Sequence, residues 1–155
     1  RLHRLPLIDV FDRAAFGASL AVLCVRLGNF VNSEIVGRPT GSSWGVRFPR
    51  FDRGLALAPL RHPVQLYEAA LGLGLLLLLF VLDRRLGEDR PRGLYASLFL
   101  LLYFGGRVFL ERYKAYLVLS PSESSLTMGQ FLSVAPALVG AAGLLLITWR
   151  HLRRS

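Results

Sequence analysis

Leu75-Leu76-Leu77-Leu78-Leu79-Phe80-Val81-Leu82 decides the fold. Eight consecutive side chains offer no hydrogen-bonding group. The stretch extends back to Val64 with a single charge, Glu68, and so approaches the roughly 20 mostly apolar residues that a membrane-spanning helix needs. Three other stretches share this character: residues 9–27, 94–117 and 128–149. The first is the weakest, with Asp9, Asp12 and Arg13 at its head and Arg26 near its end. Pro136 lies inside the last, where neighbouring helices can satisfy the carbonyl it frees. The polyleucine run itself reads as lipid-facing surface. The expected architecture is an all-α, polytopic membrane protein: one membrane domain over residues 1–155, with four transmembrane helices and a polar outer-face loop over 28–62.

Composition excludes several alternatives. The chain has 155 residues, 53% of them hydrophobic, a formal net charge of +9 and a mean hydropathy of +0.45. That disfavours a soluble enzyme, a disordered chain and a disulfide-rich module. Cys24 is the only cysteine, so no internal disulfide and no cysteine-based zinc cluster forms; it reads as a buried, inert thiol. Lys114 is the single lysine among 19 basic residues. Such basicity fits nucleic acid or an anionic membrane, and arginines at the ends of apolar runs favour membrane lipids over nucleic acid. With four crossings, ten arginines fall on the side that holds both chain ends, against seven basic residues on the other. The positive-inside rule then places both ends in the cytoplasm. Five of the seven outer basic residues sit in the 28–62 loop, where length weakens the rule. That loop is rich in Gly, Pro and Arg, and long patterned loops are usually functional.

The informative residues are those a bilayer makes expensive. Arg26 and Arg107 sit in spanning stretches, where an arginine at mid-helix depth costs roughly 2.5–3.5 kcal/mol. Tyr103, Arg107 and Glu111 are spaced i, i+4, i+8, which puts a phenol, a guanidinium and a carboxylate on one stripe. Arg107 and Glu111 could equally form an intrahelical pair that only locks packing. After Arg26 come Asn29, Asn32, Glu34 and Gly37, read as a helix break followed by amides that can bind phosphate or carbonyl oxygens. His62, Gln65 and Glu68 surround the start of the second spanning helix, where Glu68 also fits a dipole-capping role. Arginine binds phosphate through two parallel N–H groups, so the constellation fits an anionic headgroup. No cofactor and no metal are expected.

Arg26-Leu27-Gly28-Asn29-Phe30-Val31-Asn32-Ser33-Glu34-Ile35-Val36-Gly37 resembles the signature of the prolipoprotein diacylglyceryl transferase family, G-R-x-G-N-F-x-N-x-E-x-x-G, with Val25 where the family usually has Gly and Ser33 in place of a common Gly. Gly37–Thr40, Trp44–Pro49, Arg61–Glu68, Tyr103–Glu111 and Met128–Gln130 resemble further family motifs, in the family's order. The likeness is to the family's carboxy-terminal portion; its upstream helices and its His-Gly-Gly-Leu motif are absent from this sequence. The resemblance implies transfer of diacylglyceryl from phosphatidylglycerol to the lipobox cysteine of a prolipoprotein signal peptide, in the bacterial cytoplasmic (inner) membrane. It implies that Arg26 and Arg107 hold the phosphate, and that Tyr103 and Glu111 orient Arg107 or help move a proton. Asn29, Asn32, Glu34, Gly37, His62, Gln65 and Glu68 would form the substrate-binding surroundings. The residues themselves leave a second reading open: a non-catalytic membrane protein that binds anionic phospholipid or a lipoprotein precursor.

Overall fold

The structure is a computed structural model that describes residues 6–54, 57–115 and 127–153. Four helices dominate: α1 (Leu7–Asn32), α2 (Val64–Leu86), α3 (Leu94–Leu110) and α4 (Met128–Leu152). Each is long and apolar enough to cross a membrane, α3 together with the turn that continues it. The chain is therefore an all-α, polytopic membrane protein.

The helices exceed the apolar runs that mark them. α1 has 26 residues, about 39 Å at 1.5 Å per residue, enough to cross the hydrocarbon and reach both headgroup layers. It passes through Gly28 and Asn29, which the sequence reading assigned to a break. It stops only at Ser33, whose left-handed φ of 59° turns the chain. α3 ends at Leu110 and tightens into a 3₁₀ turn, Glu111–Tyr113; residues 116 and 117, expected to be helical, lie outside the described residues.

α1 packs on α2 and α3 on α4, and α3 joins the two pairs. The buried face of α2 is Val64, Gln65, Glu68, Ala69, Gly72, Leu75 and Leu79, a helical repeat that splits the leucine run. Leu75 and Leu79 enter the core, whereas Leu77, Leu78, Phe80 and Val81 remain exposed, as a lipid-facing surface would be. Cys24 is exposed too, which corrects its reading as a buried thiol: it lies on the outward face of α1.

At the far ends of the helices from Leu7 and Leu152 the chain makes a short two-stranded ladder, with isolated bridges between Gly37 and Lys114 and between Pro39 and Arg61 beside it. β1 (Val46–Arg47) pairs antiparallel with β2 (Leu60–Arg61). Residues 36–40 run between two neighbours. On one side Gly37 N–H donates to His62 O, and Thr40 N–H to Leu60 O; on the other Arg38 N–H donates to Tyr113 O, and Ala115 N–H to Val36 O. The loop after α1 is thereby laced to the end of α3.

Candidate active site

Glu68 is the centre. It sits one turn into α2 with no solvent exposure, too far from the first turn to cap it. Three cations surround it. Arg26 Nε lies 2.9 Å from Oε2, Lys114 Nζ 3.1 Å from Oε1 and Arg107 Nε 4.0 Å from Oε1. They come from α1, the strand-like segment after α3, and α3 itself, so one carboxylate ties three elements together. Lys114 also lies 2.9 Å from Glu111 Oε2. Among the directly ion-paired groups three cations meet two carboxylates, while a third carboxylate, Glu34, approaches Arg26 only through Asn29.

The structure therefore brings Arg26 and Arg107 to a common point. Glu111 pairs with Lys114 rather than Arg107, so the intrahelical pair allowed by the i, i+4 spacing does not form. Tyr103 is buried, stacked on Phe99, with the Arg107 guanidinium 5.9 Å from its ring centre. The Nε of Arg107 is buried without a hydrogen bond. Glu111 is walled by Gly129: a Cβ there would fall 2.4 Å from Oε1.

Because α1 continues as a helix to Asn32, Asn29 lies one turn beyond Arg26 on the same face. Its partners set its amide, which accepts from Arg26 Nη1 (3.3 Å) and donates to Glu34 Oε2 (3.2 Å). Glu34 is turned back towards α1 by Ser33 and Ile35, both at positive φ, and its own N–H reaches Asn29 O. A left-handed β-branched Ile35 costs about 1–3 kcal/mol, strain held next to the cluster. Gln65 donates to Glu34 O at 2.7 Å, and its buried Oε1 has no hydrogen-bond partner.

Two candidates have other local explanations. Gly37 is demanded by a close approach: a Cβ would lie 2.2 Å from His62 O and 2.8 Å from Val64 Cγ2. His62 belongs to an aromatic group, 5.1 Å from Trp44 and 5.0 Å from Tyr113 between ring centres, with Nδ1 3.3 Å from Tyr67 OH. Burial first, and then the nearby Arg38, hold its pKa below the ordinary imidazole value. Asn32 is exposed at the end of α1, and among the described residues its side chain takes no part in the cluster. Sequence reasoning missed Lys114; its one visible signal was being the lone lysine three residues after Glu111.

Four helices long and apolar enough to span a bilayer, with three cations gathered on one buried carboxylate between them, define a polytopic membrane protein with a charged cluster packed among its helices. The family model for prolipoprotein diacylglyceryl transferase matches residues 1–147, and the chain belongs to that family. Similar curated proteins include the phosphatidylglycerol–prolipoprotein diacylglyceryl transferase of Tolumonas auensis, 41% identical over 87% of this chain and 50% of its own length. Those of Protochlamydia amoebophila (36% identical, 94% of this chain, 38% of the relative) and Cupriavidus pinatubonensis (33%, 100% and 53%) bear the same name. The chain spans about half the length of the curated relatives it matches.

Proposed function

We propose that this chain supplies the phosphate-holding part of an enzyme of the bacterial cytoplasmic membrane. That enzyme transfers diacylglyceryl from phosphatidylglycerol to the lipobox cysteine of a prolipoprotein. The observation that carries the proposal is the convergence of Arg26, Arg107 and Lys114 on Glu68.

The chemistry asks for such a site. The sulfur of the cysteine attacks the glyceryl carbon, a carbon–sulfur bond forms, and the carbon–oxygen bond to phosphate breaks. The leaving glycerol phosphate takes the electron pair, and the thiol proton passes to a base. Negative charge grows on the phosphate oxygens as the bond breaks, so donors fixed beforehand at that place lower the barrier. Arg26 and Arg107 act as these donors. Glu68 holds both guanidiniums in position before the lipid arrives. Lys114 and Glu111 fix the far side of the cluster, Tyr103 backs Arg107, and Asn29 couples Arg26 to Glu34 at its rim. A thiol with a pKa near 8.5 is mostly protonated at neutral pH, so leaving-group stabilisation has to work together with deprotonation.

The test is Arg26→Lys and Arg107→Lys in the complete gene product. Lysine keeps the charge but loses the planar fork. Expected is a loss of diacylglyceryl transfer of about a hundredfold or more, the scale of removing one preorganised donor, with unchanged thermal stability. Near-normal transfer by both variants would remove the two arginines from phosphate binding.

A further inference from the structure

The loop after α1 is strongly basic. Residues 38–61 hold five arginines and one acid, Asp52. The positive-inside rule applies only weakly to a loop of this length, so what these arginines do has to be read from their contacts. Arg61 is neutralised by Asp52, and Arg47 Nη1 is used by Ala58 O. Arg50 and Arg53 are exposed, and neither has an ion pair or hydrogen bond among the described residues.

Their depth is fixed by Phe48. That ring is buried and meets Phe30, in the last turn of α1, with centres 5.8 Å apart. The N–H groups of Phe51 and Asp52 both fold back onto Phe48 O, so the chain turns tightly there. Arg50 lies two residues from the anchor and Arg53 five, which at no more than about 3.6 Å per residue keeps their Cα atoms within about 7 and 18 Å of Phe48. By its length, the last turn of α1 reaches the headgroup layer. Leu57, further along the same connection, is 71% exposed.

We propose that the Arg50–Arg53 turn docks in the headgroup layer of the outer leaflet and concentrates anionic phospholipid near the end of α1. The proposal takes its orientation from the arginine asymmetry and does not require the transfer reaction. Each cation beside an anionic surface is worth about a fivefold preference, equivalent to about 1 kcal/mol. The turn thus raises the local fraction of substrate-like lipid without touching the reacting atoms.

The experiment compares the chain with its Arg50→Gln/Arg53→Gln and Arg50→Lys/Arg53→Lys forms. Each is reconstituted in phosphatidylcholine containing a minority of phosphatidylglycerol or phosphatidylserine and then extracted with its surrounding lipid in polymer-bounded discs. The unsubstituted chain should co-extract an excess of either anionic lipid, and inorganic phosphate should not compete it away. The glutamine pair should lose most of that excess and the lysine pair regain it. Raising salt from about 0.05 to 0.5 M should erase it, because screening shortens the reach of the charges. In the complete gene product, the glutamine pair should raise the phosphatidylglycerol fraction needed for half-maximal transfer by about fivefold or more, with kcat unchanged. Equal lipid enrichment in the glutamine pair, or no recovery with lysine, overturns the proposal. A shift confined to the KM for the peptide assigns the turn to an acidic segment of that substrate instead.

Discussion

Replacing Asp12 with alanine should destabilise the fold by about 3–5 kcal/mol, the usual cost of removing one partner from a buried charged pair. Asp12 lies in α1 with no solvent exposure. Its Oδ2 accepts from Arg90 Nη1 at 2.7 Å and from Gly93 N–H at 2.8 Å, and its Oδ1 accepts from Ala96 N–H at 2.9 Å. A side chain 81 residues away in sequence from Gly93 thus caps the start of α3. Hydrogen bonds to a charged group contribute about 1.5–3 kcal/mol each, but three bonds to one carboxylate are not independent, which keeps the expected loss below their sum. Alanine leaves two orphaned helix N–H groups and an uncompensated Arg90. The isosteric Asp12→Asn should rescue little, because an amide turned either way points its NH₂ at donors. Thermal unfolding in detergent is the assay; 3–5 kcal/mol corresponds to about 6–20 °C for a chain of this size. A cycle with Arg90→Ala separates the ion pair from the cap. A loss below about 1 kcal/mol for Asp12→Ala, well under the cost of a broken buried pair, would refute the capping argument.

Gly129→Ala should shift the Glu111 carboxylate away from Lys114, since the new methyl would overlap Oε1 and Cδ. The displaced carboxylate leaves a buried ion pair with Lys114, so stability should fall. The loss should be smaller than the roughly 3–5 kcal/mol of removing a partner outright, because Lys114 keeps Glu68. Transfer by the complete gene product should fall as well; paired thermal and activity assays check this. The lowered pKa of His62 means that the unfolded chain binds the proton more readily. Stability of the outer-loop pairing should therefore be intact above pH of about 6.5 and fall as pH drops below it. The protection of the Gly37 and His62 amides against hydrogen exchange, taken relative to the intrinsic rate at each pH, should fall in acid, and His62→Gln should flatten that dependence.

The four crossings were legible because lipid imposes a length and a composition that a sequence displays directly. The two arginines were legible for the complementary reason: a guanidinium among leucines is expensive and stands out. The partners of those arginines were not legible. Glu68 looked like a capping residue because local position favours an acid near a helix start, while its contacts come from residues 26, 107 and 114, which adjoin only after three elements pack. Asp12 read as a flaw in α1, although it is the N-terminal cap of α3; a one-dimensional scan assigns a charge to the helix that carries it, not to the helix it serves. The extent of α1 failed for a related reason. Gly28 and Asn29 have weak helix propensity, but Asn29 gains Arg26 and Glu34 as partners by remaining helical, and tertiary contacts of that kind routinely override propensity. Buried charge in this chain therefore marks where helices are tied together. One such tie, at Glu68, gathers three cations on a single carboxylate, which is why the proposed phosphate site is placed there.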